Sequence, residues 1–280
     1  MSIVFFGTSE FAVPALKALV KAGYDIAAIV TMPDQPTGRK QTLSAPPVKL
    51  AALELGLSVV QPETLKNTHL KFEADLGIVA AYGKIIPQQI IDQFGHGILN
   101  IHPSLLPKYR GPSPVQTSIL NGDSETGVTI MQLDAGMDTG PTLSAKEVQI
   151  NSQESYTELH NRLADLGAQL LIEAIPQYID GHLKPKPQDD GLATVTKKFE
   201  REDGKINGSE NPDQINNQIR ALNPEPGTWT TWKGKILNIK KAHIDNHKLA
   251  IDTLQLESKK ETTFTDFLHG YPDFNIQDCK

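Results

Sequence analysis

Residues 2–31 read SIVFFGTSEFAVPALKALVKAGYDIAAIVT, and this stretch decides the fold class. Two apolar runs of strand length, 2–7 and 26–31, flank a segment whose apolar residues recur at helical spacing and which stops at Gly23. A strand, a helix and a second strand in this order predict a parallel strand pair joined by a helical crossover.

The same alternation continues to residue 181. Further strands are predicted at 57–62, 74–83 and 97–104, further helices at 46–56, 87–95, 114–122 and 156–181, and two alternating segments at 126–133 and 142–150 as antiparallel edge strands. This pattern predicts an α/β fold with a Rossmann-like, mostly parallel sheet flanked by helices. Ligands of such sheets bind outside the carboxyl ends of the strands, so Gly7, 81–83 and 100–104 are expected to line one crevice.

The composition changes after the long helix. Residues 182–213 are polar and rich in proline, glycine and charge, as in a linker or a surface excursion. A helix at 214–222 and alternating segments at 228–244 and 248–258 then predict a small antiparallel β domain. We therefore expect a catalytic domain at 1–187, a linker at 188–205 and a small C-terminal domain at 206–280.

Composition excludes several classes of protein. The chain has 280 residues with ordinary hydrophobic (39%) and charged (21%) content, so a sizeable core can form, and no apolar run is long enough to span a membrane. The single cysteine, Cys279, cannot form an intrachain disulfide, which fits a reducing cytoplasm. A net charge of −6 gives no indication of nucleic-acid binding.

Several common motifs are absent from the sequence. The turn after the first strand is GTSEF rather than GxGxxG, which argues against a nicotinamide cofactor bound in the usual way. No GxxxxGK[ST] phosphate loop and no HExxH occur, and the eight histidines lack metal-ligand spacing, so no metal is expected.

Chemistry-bearing residues are densest in NIHPSLLPKYRGPSP at 100–114. Asn100 and His102 lie two apart at a strand end, so their side chains point to the same face. Prolines at 103, 107 and 112 stiffen the loop that follows. A fixed amide and imidazole suit the stabilisation of an oxyanion and the transfer of a proton, although a bare NxH spacing by itself favours a histidine in an ordinary turn.

Two further loops carry candidate residues. In DAGMDTGP (134–141), glycines and a proline bracket Asp138, whose carboxylate could reach the Asn/His pair, although aspartate and glycine also favour turns for their own sake. In MPDQPTGRK (32–40), Arg39 and Lys40 follow Gly38 on a loop that could meet a phosphate backbone or be an ordinary exposed loop.

The string NIHPSLLPKYRG closely resembles the characteristic motif of the folate-dependent formyltransferase superfamily. The resemblance implies that Asn100, His102 and Asp138 form the catalytic trio. It also implies a tetrahydrofolate site formed by two stretches, SLLP and the loop AAYGKIIP (80–87), with these residues: Ser104, Leu105, Leu106, Pro107, Tyr82, Gly83 and Ile85.

Within this superfamily the chain is most similar to the methionyl-tRNA formyltransferases. The similarity runs in order through FFGTSEFAVPAL, PDQPTGR, ETGVTIMQLDAGMDTGP, DGKI, IRALNPEPG and LAIDTLQLESKK. It implies that Phe11 lies near the methionyl side chain, where a core aromatic is nearly as good an interpretation, and that the loop with Gly38, Arg39 and Lys40 reaches the tRNA acceptor stem. The chain departs from the family in the C-terminal domain, which is OB-like there and shortened here.

The resemblance implies transfer of a formyl group from 10-formyltetrahydrofolate, without a metal, to the α-amine of initiator methionyl-tRNA. Asn100 is then expected to donate to the oxyanion, His102 to stabilise that oxyanion or accept the amine proton, and Asp138 to orient His102 and help relay a proton to the leaving N10. We expect a cytoplasmic monomer with no membrane partner. The alternatives are a sugar-nucleotide N-formyltransferase with the same donor, and a non-catalytic folate- or RNA-binding module.

Overall fold

A computed structural model describes residues 1–37, 42–66 and 71–279. Strands in these ranges are β1 (Ser2–Gly7), β2 (Asp25–Val30), β3 (Gln35–Thr37), β4 (Thr42–Ser44), β5 (Val59–Val60), β6 (Leu76–Ala80), β7 (Ile98–His102), β8 (Glu125–Gln132), β9 (Thr142–Gln149), β10 (Thr228–Trp232), β11 (Lys235–Asp245), β12 (Lys248–Leu256) and β13 (Thr262–Thr263). Helices are α1 (Val13–Lys21), α2 (Pro47–Glu54), α3 (Gln88–Ile91), α4 (Pro114–Leu120), α5 (Tyr156–Ile179), α6 (Pro212–Leu222) and α7 (Phe264–Gly270).

The chain divides into two compact units. The first comprises Met1–Arg110, Gly127–Glu147 and Asn161–Val195, and the second comprises Gly111–Thr126, Val148–His160 and Thr196–Lys280. The stretch 186–195, which falls largely within the expected linker, makes ordered contacts in the first unit, including two backbone hydrogen bonds of 2.8 Å between Thr142 and Lys186. The expected boundaries at 187 and 205 remain a prediction.

A seven-stranded sheet forms the centre of the first unit, in the order β5-β2-β1-β6-β7-β8-β9. The pairs from β5 to β7 are parallel and β8 is antiparallel to β7, which confirms the expected mostly parallel sheet with flanking helices. Strands β6 and β7 are buried along their whole length because helices and loops cover both faces of a parallel sheet. These continuous apolar runs therefore identified the central strands.

The carboxyl ends of the central strands lie side by side. The backbone N–H of Thr8, just after β1, donates to the carbonyl of Ala81, just after β6, and the Thr8 hydroxyl donates to the carbonyl of Tyr82 at 2.7 Å. Asn100 of β7 pairs with Val79 of β6. The carboxyl ends of β1, β6 and β7 are therefore neighbours, as the sequence predicted.

The second unit contains an antiparallel sheet in the order β10-β11-β12-β13. Its strands alternate buried residues with mostly partly buried ones, as expected when one face of a sheet packs on a core. Helix α6 packs on this sheet through Ile215 and Ile219, and the Asn211 side chain caps its first turn. This arrangement confirms the small C-terminal β domain, and β13 and α7 add elements that the sequence patterns did not reveal.

Candidate active site

The amide and imidazole predicted from the NxH pair lie side by side on the central strand β7. Asn100 and His102 are 7% and 4% exposed, and the strand places both on one face. Their neighbours across the antiparallel pairing are Met131 and Thr129 of β8. The two polar side chains are thus held at the carboxyl end of a rigid, buried strand.

The loop after β8 brings the carboxylate of Asp138 to this pair. Its Oδ1 lies 3.4 Å from Asn100 Nδ2 and 3.6 Å from His102 Nδ1. The carboxylate is only 16% exposed, so water screens its interaction with the imidazole weakly. The structure therefore brings together the three side chains that the sequence predicted to converge.

A hydrogen bond on the far side of the ring fixes the histidine tautomer. His102 Nε2 lies 2.9 Å from the backbone carbonyl of Tyr109. Because a carbonyl only accepts hydrogen bonds, Nε2 must carry a proton and donate it. In the neutral ring, Nδ1 then has the free lone pair and can accept a proton next to the Asp138 carboxylate.

Internal hydrogen bonds shape the loop between His102 and Tyr109. The hydroxyl of Ser104, fully buried, donates to the carbonyl of Lys108 at 2.6 Å. The hydroxyl of Thr129 donates to the Ser104 carbonyl at 2.7 Å and accepts from the backbone N–H of Leu106 at 3.1 Å. Ser104 therefore shapes the loop with its side chain, and Thr129 is a supporting residue that the sequence patterns did not single out.

The other predicted folate residues lie at the strand ends, and their side chains range from buried through partly buried to exposed. The ring of Tyr82 is buried, packs edge-on against Phe6 at 5.8 Å, and has its pKa raised to about 12 by burial. Ile85 is 85% exposed. The partly buried side chains of Leu105, Leu106 and Pro107 follow β7. Tyr82 is thus a core aromatic that stays protonated at neutral pH, whereas Ile85 has a free apolar surface.

Of the residues predicted to bind the acceptor substrate, the structure describes Phe11 alone. Phe11 is 3% exposed in the short 3-10 turn Glu10–Ala12 after β1, as a core aromatic would be, and its contact with a methionyl side chain remains a prediction. Gly38, Arg39 and Lys40 lie outside the described residues.

Backbone strain marks the loops of this site. Ala81, Tyr109 and Asp138 have left-handed φ angles of 42°, 61° and 57°. Such angles cost most non-glycine residues about 1–2 kcal/mol and aspartate less, and they concentrate at functional sites where surrounding contacts enforce them. Each of the loops after β6, β7 and β8 contains one such residue.

Two further properties concern metals and membranes. Across residues 1–37, 42–66 and 71–279, no group of three or more His, Cys, Asp or Glu side chains is arranged to hold a metal ion. Within the same part of the chain, no helix has the length and apolar character needed to cross a membrane.

Comparison with known proteins places this site in a family. The family model for formyl transferase matches residues 1–175, and the model for the formyl transferase C-terminal domain matches residues 198–250. The chain therefore belongs to the formyl transferase family, a family of group-transfer enzymes.

Relatives of the chain include methionyl-tRNA formyltransferases from several bacteria. The protein from Chloroflexus aggregans is 46% identical over 249 residues, which cover 87% of this chain and 81% of that protein. The protein from Syntrophus aciditrophicus is 39% identical over an alignment covering 97% of this chain and 96% of that protein. A Helicobacter canadensis N-formyltransferase, solved with folinic acid and dTDP-3-aminofucose, has a TM-score of 0.68 at 22% identity over 87% of this chain and 88% of that one, which shows the same fold.

Proposed function

We propose that this chain transfers the formyl group of 10-formyltetrahydrofolate to the α-amine of initiator methionyl-tRNA, with Asn100, His102 and Asp138 as the catalytic residues. The observation that carries the proposal is the convergence of these side chains, with the Asp138 carboxylate 3.4 Å from the amide and 3.6 Å from the imidazole. Identities of 39–46% to methionyl-tRNA formyltransferases, over most of each chain, support this acceptor over a sugar nucleotide.

The folate donor supplies a formyl carbonyl bonded to nitrogen, and the amide of Asn100 faces the position where negative charge develops on that carbonyl oxygen. A donor fixed on a buried strand needs no reorganisation during the reaction, and the loss of such a donor typically costs about 10²–10³ in rate. Asn100 is suited to this role because it is neutral and 7% exposed, so that it donates without adding charge to the site.

His102 accepts the proton of the attacking amine at Nδ1. Its Nε2–H is engaged by the Tyr109 carbonyl, which leaves the lone pair of Nδ1 for this purpose. The Asp138 carboxylate, 3.6 Å away, stabilises the imidazolium that results and then helps return the proton to the leaving nitrogen. An α-amine has a pKa of about 8, so a usable neutral fraction exists near pH 7.

The apolar side chains at the strand ends suit the flat ring system of a folate. Leu105 and Leu106 are partly buried beside His102, and Ile85 on the loop after β6 has 85% of its surface exposed. A pterin ring that covers these side chains would remove apolar surface from water, at about 25 cal/mol per Å². Because the Tyr82 ring is buried, its contribution to the site is through its backbone.

The test is an assay of formyl-methionyl-tRNA formation from 10-formyltetrahydrofolate and charged initiator tRNA. Wild-type protein is expected to form this product and to leave an amino-sugar nucleotide unmodified. His102→Asn should lower kcat by about 10²–10⁴, while the matched variant His182→Asn, at an exposed position in the same unit, should retain full activity. Formylation of the sugar nucleotide instead of methionyl-tRNA would overturn the acceptor, and full activity of His102→Asn would overturn the role of the imidazole.

A further inference from the structure

We propose that Gln188 is a positioning residue for the Asp138 carboxylate, which makes part of the expected linker a component of the catalytic machinery. The inference rests on the function proposed above. Gln188 is 50 residues from Asp138 in the chain, and its Nε2 donates to the Asp138 carbonyl at 2.8 Å and to the Gly140 carbonyl at 2.7 Å. One amide thus holds two carbonyls of the loop that carries the carboxylate.

Arg110 determines which way the Gln188 amide points. Arginine only donates hydrogen bonds, and Arg110 Nε donates to Gln188 Oε1 at 3.0 Å. If the Gln188 amide were rotated by 180°, its NH₂ group would face the Arg110 N–H and its oxygen would face the two loop carbonyls. That orientation is unfavourable at all three contacts. Arg110 is 7% exposed and also bonds Asp190 at 2.7 Å, so the group that orients Gln188 is itself fixed.

The loop has an uncommon backbone conformation that hydrogen bonds support from two sides. Asp138 has a φ of 57°, in the left-handed region that few non-glycine residues occupy and that aspartate adopts with the help of hydrogen bonds. The Asp134 side chain holds the loop from inside, accepting from Gly136 N at 3.0 Å and from the Thr139 hydroxyl at 2.9 Å. Gln188 binds the carbonyls of the two residues that flank Thr139. Asp138 is thus held from both sides of the loop.

The same stretch also supports the imidazole. The hydroxyl of Thr194 accepts from the backbone N–H of Tyr109 at 2.8 Å, and the Tyr109 carbonyl is the partner of His102 Nε2. Two residues of the stretch 186–195 therefore fix the two groups that must remain 3.6 Å apart, Gln188 through the Asp138 loop and Thr194 through Tyr109. Displacement by about 1 Å at such a pair can cost 10²-fold in rate.

The experiment compares Gln188→Met, which removes both donors at similar side-chain length, with Gln177→Met as a matched control. Gln177 is exposed on α5, and its amide donates within its own helix, to the Glu173 carbonyl at 2.9 Å. Gln188→Met should lower kcat for methionyl-tRNA by about 10²-fold, with KM within about twofold of wild type because no substrate contact is removed. Its thermal midpoint should stay close to that of the control variant.

A second readout does not depend on turnover. Amide hydrogen exchange across 135–140 should be faster in Gln188→Met than in wild type or Gln177→Met, because the loop has lost its external support. Gln188→Glu is the backup if the Met variant does not fold: it keeps the acceptor for Arg110, presents an oxygen to the two carbonyls, and should show the same loss of kcat and faster exchange.

The outcomes separate the two proposals. Unchanged exchange in the folded Gln188 variants overturns the positioning role, whether or not the wild type is active. An unchanged kcat, or a loss expressed wholly in KM, overturns it as well. Absence of formyl transfer by the wild type, together with faster exchange in the variants, overturns the proposed function and leaves the support of the loop by Gln188 in place.

Discussion

Replacing Asp138 with asparagine tests the electrostatic core of the proposed mechanism. The variant keeps the shape of the side chain and an oxygen that can accept from Asn100, but it removes the charge that faces His102 at 3.6 Å. Any loss of rate then reports on the charge, because neither the size of the side chain nor its hydrogen bond to Asn100 is removed.

The expected magnitude follows from this distance. Two unit charges 3.6 Å apart attract each other by about 4–5 kcal/mol at an effective dielectric constant of about 20. The amide dipole of asparagine retains part of this attraction, and water reaches the 16% of the Asp138 side chain that is exposed. We therefore expect a loss of about 2–3 kcal/mol in the transition state, which corresponds to roughly 10²-fold in rate.

The assay is single-turnover formation of formyl-methionyl-tRNA with enzyme in excess, so that product release does not mask the chemical step. Asp180→Asn, at an exposed position in the same unit, is the charge-matched control. Circular dichroism and thermal unfolding establish that both variants fold. Turnover of Asp138→Asn within about threefold of the control, well short of the roughly 10²-fold loss worked out above, would refute the argument that a carboxylate stabilises the protonated imidazole.

Three further predictions concern packing and ionisation. Gly167→Ala should destabilise the protein by about 1–3 kcal/mol in chemical denaturation, because the added Cβ would lie 2.5 Å from Ile101 Cγ2. The control Gly95→Ala should be nearly neutral, because a Cβ at Gly95 meets no atom of another described residue within 4 Å beyond its chain neighbours. Equal stabilities of the two variants would contradict the close approach of α5 to β7. Burial raises the pKa of the Cys279 thiol to about 11, so at pH 8 the folded protein should react with a thiol reagent roughly 10²-fold more slowly than the unfolded chain, and equal rates would contradict that burial. A hydrogen bond from the backbone N–H of Glu200 lowers the pKa of Asp203. Because a lowered folded-state pKa stabilises the fold above the unfolded pKa of about 4, Asp203→Asn should lower the melting temperature at pH 7 and differ less from wild type as the pH falls through the folded-state pKa. A difference in melting temperature that does not change with pH would refute this linkage.

The parallel sheet could be predicted because its signals are local. Continuous apolar runs mark β6 and β7, and their order between helices fixes the sheet class without any knowledge of distant contacts. The NxH pair could be interpreted in the same way, since two residues on a strand share a face whatever surrounds them. Asp138 was different: its loop is equally typical of an ordinary turn, and family resemblance rather than pattern identified it.

Elements of the second unit were missed for two different reasons. The alternating segment predicted at 228–244 is in fact two strands, β10 and β11, joined by a tight turn at Lys233 and Gly234 with positive φ angles of 48° and 74°. Apolar and polar residues alternate on both sides of this turn, so the pattern did not reveal the break. Helix α7 did carry a start signal, because Thr263 caps its first turn: the Thr263 hydroxyl accepts from the backbone N–H of Asp266 at 3.2 Å and donates to the Asp266 carboxylate at 2.8 Å. The helix that follows this cap has only seven residues, fewer than the window over which helical periodicity can be recognised.

The residues that support the loops of the candidate active site, Gln188 and Thr194, could not be predicted from any short stretch of sequence, and the reason is physical. A left-handed conformation is uncommon for tyrosine, and aspartate adopts it with the help of nearby hydrogen bonds. Asp134 supports the Asp138 loop locally, and further supporting contacts come from distant parts of the chain. Here they come from residues 50 and 85 positions away, Gln188 and Thr194, within a polar stretch whose composition indicates a linker. A glutamine or a threonine in such a stretch is indistinguishable from a solvated one until the partner carbonyl and N–H are located. Left-handed residues in the loops of the candidate active site therefore indicate where supporting contacts lie, and the structure is needed to identify the residues that provide them.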